Sequence, residues 1–333
     1  MSKPRNLADI AALAGVSTAT VSRALAGHPS VRTATRERIL ALAREHDVRP
    51  NQLARNLRLR HTGAIGLAMP LGHARTQHLT DPFFLTLLGF LADGLVERGY
   101  DILLSRVIPS STDWLDRLVD SGRTDGLILV GQSDQYDTIE RVAERYPPLV
   151  VWGVHRDGQK QLTIGSDNRG GGRIAAEHLI AGGRRRLLFV GDPAPPEFAD
   201  RLAGFRDGAA AAGCAVEVLD SAMVPDQALA TVRERIAAGS VPDGIFAASD
   251  VVAMSVLRAL AEAGIAVPEQ TAVIGYDDVT LAAQTVPPLT TIRQDLAAGA
   301  SLMIEAMMRR IAGEPVEAAV LPPELVVRAS SRP

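Results

Sequence analysis

Cysteine is nearly absent: Cys214 is the single one in 333 residues, which excludes an intramolecular disulfide and any Cys-cluster metal site. It reads as a small apolar residue on a helix-to-strand link. No apolar run reaches the roughly 18 residues of a membrane span. MSKPRNLADI lacks the apolar core of a secretory leader, so the expectation is a soluble, cytoplasmic chain with no membrane partner. The signatures of several enzyme classes are missing too. There is no G-x-x-x-x-G-K-[ST] loop, no H-E-x-x-H, no G-x-S-x-G and no glycine-rich turn of dinucleotide type. The seven histidines (His28, His46, His61, His73, His78, His155 and His178) show no metal-ligand spacing such as i, i+4 on one helix. Gly170-Gly171-Gly172 lacks the flanks of a phosphate loop and reads as an aid to close helix packing. The expectation is therefore no enzyme, and no catalytic residue, metal or cofactor is assigned.

What is present is a chain of two characters. At 47% hydrophobic content its length allows more than one domain, at about 100–200 residues each. The net charge of −3 hides an asymmetry: residues 1–62 hold eleven Lys/Arg against four Asp/Glu, a net +7, which leaves −10 for the rest. A cationic head on an anionic body suggests a polyanion as the partner of the head.

The stretch Leu7 to Leu25 carries two short helical periods separated by a turn. Leu7, Ile10, Ala11 and Ala14 fall at i, i+3, i+4 and i+7, Gly15 ends the first helix, and Ser17 is a natural N-cap for the second. In that second helix Val21, Ala24 and Leu25 point inward, leaving Thr18, Ala19, Ser22 and Arg23 outward, a set suited to a groove. This is a helix-turn-helix. Thr33 can cap a third helix to about His46 through Ile39, Leu42 and Ala43, with Arg32, Arg36, Arg38 and Arg44 left for water or phosphate.

The spacing Leu7-x-Asp9-Ile10-Ala11-x-x-Ala14-x-Val16-Ser17-x-x-Thr20-Val21-x-x-Ala24-Leu25 resembles the DNA-binding head of the LacI/GalR family of bacterial repressors. The resemblance implies three regions: a helix-turn-helix domain over 1–49, a hinge helix over 50–62, and a two-lobed effector-binding and dimerisation domain over 63–333. It implies that Thr18 and Ala19 read base edges, that Arg23 reaches guanine, and that Ser17, Thr20 and Ser22 sit on phosphates. It also implies that Leu57, with Ala54 beside it, wedges the minor groove of a pseudo-palindromic operator bound by a homodimer. With no heptad tail after Ala329, a dimer rather than a tetramer is expected.

From Gly63 apolar runs alternate with amphipathic helices. Strands are expected at Ala64–Met69, Asp101–Ser105, Gly126–Val130, Leu149–Val154, Arg186–Val190, Val216–Leu219, Gly244–Ala248 and Ala272–Gly275. Helices are expected at Phe83–Arg98, Arg169–Ala181, Asp200–Ala212, Gln227–Ala238 and Val251–Ala263, with one more between the third and fourth strands. The alternation gives an α/β fold class with parallel sheets; the resemblance implies that they form two lobes of the periplasmic-binding-protein type and that Asp295–Gly313 is a helix returning to the first lobe. Ligands of such sheets lie beyond the carboxyl ends of strands. There the resemblance assigns Arg201, Asp250 and Gln294 to effector contact and Phe83 to an aromatic wall, with Asp81, Trp152 and Phe205 as further candidates. Asp81 and Asp167 have a competing reading as helix caps. Some relatives place a tryptophan after the strand at 216–219, where this chain has Asp220-Ser221-Ala222-Met223. A sugar remains the first expectation for the effector, with a smaller or acidic ligand also open. A purine corepressor and a cytoplasmic solute-binding protein are the alternatives.

Overall fold

Asn6 starts the first helix, α1 (Leu7–Ala14), by a reciprocal cap: its side chain accepts from the N–H groups of Ala8 and Asp9, while the Asp9 carboxylate accepts from its own N–H. The computed structural model describes residues 6–25, 28–48, 61–71, 79–109, 111–239 and 241–332, and the chain divides into two compact units between Thr62 and Gly63. Gly15 closes α1 at φ 59, a conformation that costs a residue without Cβ little. Ser17 then caps α2 (Thr18–Leu25) by accepting the Thr20 N–H at 3.2 Å. In α3 (Thr33–Glu45) the cap position is Arg32, without a side-chain cap bond, so Thr33 is the first helical residue rather than the cap. Ile10, Ala11, Ala14, Val21, Ala24 and Ile39 close a small core among the three helices. Two arginines expected to face water or phosphate are engaged in the fold. Arg38 donates to the Ala14 carbonyl at the end of α1, and Arg36 to the carbonyls of His28 and Val31. The hinge positions Ala54 and Leu57 lie outside the described residues.

The second unit is two three-layer lobes. In the first, β1 (Ala64–Pro70), β2 (Asp101–Val107), β3 (Gly126–Val130), β4 (Leu149–Trp152) and β5 (Leu162–Ser166) alternate with α4 (Pro82–Glu97), α5 (Trp114–Asp120) and α6 (Tyr136–Arg145). The second lobe is built from α7 (Asn168–Ala181), β6 (Leu187–Val190), α8 (Pro196–Ala211), β7 (Val216–Leu219), α9 (Pro225–Ala237), β8 (Gly244–Ala247), α10 (Asp250–Glu262), β9 (Ala272–Asp277) and β10 (Thr290–Arg293). The chain then returns: α11 (Leu296–Ile311) and β11 (Ala319–Leu321) belong to the first lobe and β12 (Glu324–Val326) to the second. Sheet orders are β11-β5-β4-β3-β1-β2 and β12-β10-β9-β8-β6-β7. All neighbours are parallel except β10 and β12, which run antiparallel, so the second sheet is mixed where a parallel one was expected.

The return of α11 rests on burial. Leu296, Ala300, Met303, Ile304 and Met307 pack on Ile65, Leu67, Leu87, Leu91 and Trp152 of the first lobe. Three strands of chain thus cross between lobes, at Asp167, at Gln294-Asp295 and at Pro322-Pro323. In the second lobe α7 and α8 approach at backbone distance. A Cβ on Gly172 would fall on the Arg201 carbonyl, and one on Gly204 on the Arg169 carbonyl. The glycine run therefore serves packing, and that packing sets Arg201 over the first crossing.

Candidate functional site

On the head, α2 presents Thr18, Ala19 and Arg23 to solvent, with Ser22 and Thr20 half-buried and Ser17 exposed at its start. Arg23 Nε donates to the Ala19 carbonyl one turn back, at 3.3 Å. Its two terminal amino groups remain available as the fork that a guanine edge accepts. The hydroxyls of Ser17 and Thr20 pair at 2.9 Å, so the cap also fixes two of the expected phosphate contacts relative to each other.

In the second unit the carboxyl ends of both sheets face a cleft between the lobes. Residues just past β1, β3 and β4 line one side, and residues just past β6, β7, β8 and β9 line the other. One wall is aromatic. Phe83, at the start of α4, stands 5.5 Å from Phe84 and 6.2 Å from Trp152, centroid to centroid. Gly299 lies where any Cβ would strike the Trp152 ring, so α11 packs on that ring at backbone distance.

The opposite wall is charged. Arg201 is 4% exposed; its Nε donates to Asn168 Oδ1 at 2.8 Å and its Nη1 to the Ala248 carbonyl. The guanidinium lies 3.6 Å from the centroid of the Tyr276 ring and 5.0 Å from that of Phe198. Its nearest carboxylate is Asp277, at 3.8 Å. Burial pushes the Asp277 carboxyl up to about 7, against the pull of Arg201 and with a further push from Asp81. Glu197 is also raised by loss of water, and its Oε1 accepts the Gln132 N–H from the other lobe at 3.1 Å. A second bridge across the cleft joins Arg156 to Asp200, at 2.8 and 2.7 Å.

The structure brings Asp81, Phe83, Trp152 and Arg201 together around this cleft. Asp81 holds both of its readings, since its Oδ1 caps α4 by accepting the Phe83 N–H at 2.9 Å. Asp167 is a cap, accepting the Gly170 N–H. Three expected contacts are displaced. Phe205 is fully buried against Phe246, because it lies one turn beyond Arg201 on α8 and faces the core. Asp250 sits below the lining, its carboxylate accepting from Thr291 Oγ1 at 2.6 Å and the Val279 N–H at 2.9 Å, while the preceding Ser249 reaches the cleft. Gln294 meets the cleft through Asp277, to whose Oδ1 it donates at 2.7 Å. Residues missed in sequence include Glu197, one turn before Arg201 on the same helix, and Ser133, just past β3. Asp277 is the last residue of β9, two positions past the strand end expected at Gly275, and was not among the assigned contacts.

Comparison with known proteins agrees with this architecture. The profile for bacterial regulatory proteins of the lacI family matches residues 6–51, and that for a periplasmic binding protein-like domain matches residues 176–331. The HTH-type transcriptional regulator CelR of Thermobifida fusca is 31% identical over 96% of each chain. Among solved structures, a CelR–cellobiose complex aligns with TM-score 0.70 and 31% identity over 97% of this chain and 99% of that one. A lac repressor dimer bound to operator and an anti-inducer aligns with TM-score 0.86 and 25% identity over 99% of both.

Proposed function

The chain belongs to the lacI family of bacterial regulatory proteins, and from that premise we propose that its interlobe cleft takes an uncharged, hydroxyl-rich small molecule, a sugar, whose occupancy alters operator affinity. As a member of that family it is a ligand-responsive, DNA-binding transcriptional regulator of the repressor type. In the head, α2 enters the major groove. Thr18 and Ala19 meet base edges, Arg23 donates two bonds to guanine, and Ser17, Thr20 and Ser22 anchor on phosphates. Two copies bind a pseudo-palindromic operator, and no catalytic step is assigned. No helix among the described residues is long and apolar enough to cross a membrane, which accords with a cytoplasmic place beside DNA.

The charge balance of the cleft carries the ligand class. Asp81, Glu197 and Asp277 line it with one guanidinium, Arg201, which already donates to Asn168 and to the Ala248 carbonyl. Carboxylates accept from sugar hydroxyls, and the aromatic wall of Phe83 and Trp152 offers the C–H face of a ring an apolar surface. A sugar acid or sugar phosphate would bring negative charge into a lining with three carboxyl groups, at a desolvation cost that one guanidinium, already engaged by Asn168 and the Ala248 carbonyl, offsets only in part. Closure of the lobes on the ligand alters their relative angle, and that change is the signal.

Thermal shift separates the readings, because a cleft ligand stabilises by mass action, by about 2.7 kcal/mol at a hundredfold excess over Kd. Cellobiose, D-ribose and D-glucose are to be compared with gluconate, ribose 5-phosphate and hypoxanthine. A rise in melting temperature with a neutral sugar, and none with the two anions, is expected. A shift with the anions alone would remove the ligand class, and one with hypoxanthine alone would favour a purine corepressor.

A further inference from the structure

Only four non-glycine residues among the described ones hold positive φ: Asp47, Ser133, Asp277 at φ 113 and Asp278 at φ 56. Ser133 and Asp277 line the cleft. Two adjacent side-chain-bearing residues in this region are strained, because each Cβ crowds its own backbone. Glycine would adopt the same turn freely. The chain instead uses two aspartates where β9 leaves the sheet, so something outside the turn must hold it.

Asp278 shows what does. Its Oδ1 accepts from Arg328 Nη2 at 2.6 Å and its Oδ2 from Arg293 Nε at 2.7 Å, and the carboxylate is 8% exposed. Arg328 is itself fixed. Its Nη1 donates to the Leu289 carbonyl at 2.7 Å and its backbone N–H to Thr290 Oγ1 at 2.8 Å. Arg293 immediately precedes Gln294, the residue that bonds Asp277, and the Val279 N–H that follows the turn is held by Asp250. None of Asp278, Arg293 and Arg328 lines the cleft.

We propose that Arg293 and Arg328, acting through Asp278, are positioning residues of the effector site: they clamp the strained turn so that the Asp277 carboxylate stays beside Arg201 and Gln294. The assignment rests on the cleft as the effector site. It also gives Arg328, which follows the last strand, a part in a site to which it contributes no contact.

Crystal structures and melting curves of full-length Asp278→Ala and Asp278→Gly test it, with Arg328→Met as a third variant. Both Asp278 changes remove the same two ion pairs, but only glycine keeps positive φ without strain. A purely structural role predicts that the glycine variant melts above the alanine one, because it carries no strain at positive φ, while the Asp277–Gln294 contact is the same in both. Positioning predicts that in Asp278→Ala and Arg328→Met the Asp277 carboxylate leaves Gln294 Nε2, while Asp278→Gly restores the contact. If Asp277 keeps its contact in Asp278→Ala and Arg328→Met, or loses it equally in the alanine and glycine variants, the proposal falls. Because the readout is the place of Asp277 and needs no ligand, failure of the sugar assignment would leave this result standing.

Discussion

Arg201 has its partners before any ligand arrives: Asn168, the Ala248 carbonyl and the face of Tyr276 occupy it. The resemblance could therefore mark Arg201 for effector contact without showing that its surroundings are acidic, and with α8 beginning at Pro196 the guanidinium lies beyond the first turn and is held by these partners. The acidity comes from Glu197 and Asp277, which the fold brings to one cleft from α8 and from the end of β9. Phe205 illustrates the opposite limit. Its spacing from Arg201 puts both on one side of α8, but only burial tells which of the two reaches the cleft and which the core. On the head the residue-scale reading carries further, because a recognition helix displays its outward residues directly. Arg23→Ala should cost about 1–3 kcal/mol and relax base preference at one position per half-site, read by binding to single-base operator variants. Equal weakening across all variants would instead assign Arg23 to the phosphate backbone.

Elements were legible in proportion to their apolar length. The buried run Gly126–Val130 appears with the expected bounds, since a parallel strand covered on both faces is apolar throughout, and the half-exposed edge strand Val216–Leu219 appears with its expected bounds through the alternation of its valines with Glu217. Leu162–Ser166 was missed because Thr163, Gly165 and Ser166 break its run, although every residue in it is buried. The three-residue strands β11 and β12 are paired only because the chain recrosses, which no local pattern records. Helix α5 was not anticipated either; its seven residues are too few to show a period. The element contact on which the site most depends is that of α7 with α8. Gly204→Ala would drive a Cβ into the Arg169 carbonyl, where only backbone movement can make room. A loss of about 1–3 kcal/mol is expected by calorimetry, as for other overpacked cores. An unchanged melting temperature would show that the two helices can part freely.

At the scale of the whole molecule, three crossings of chain tie the two lobes, and two of them carry site residues' partners: Asn168, just past Asp167, holds Arg201, and Gln294 holds Asp277. Any change in the angle between lobes therefore acts on the charges that line the cleft, and in the proposed scheme a ligand bound among them acts on the angle. The return of α11 to the first lobe was expected from the family resemblance and rests structurally on its apolar face; the antiparallel β12 was not foreseen. In the proposed scheme occupancy of the cleft governs DNA binding, and reciprocal linkage makes that measurable from either side. The direct test is fluorescence anisotropy on an operator selected from a random-sequence duplex pool. It is run with and without the saccharide that raises the melting temperature, for the native chain and for Asp277→Asn. The account predicts a change in operator affinity of about 5–150-fold in the native chain, the usual range of allosteric coupling, and its loss in the variant. Operator affinity indifferent to a saccharide that stabilises the chain, or shifted equally in both proteins, would contradict it.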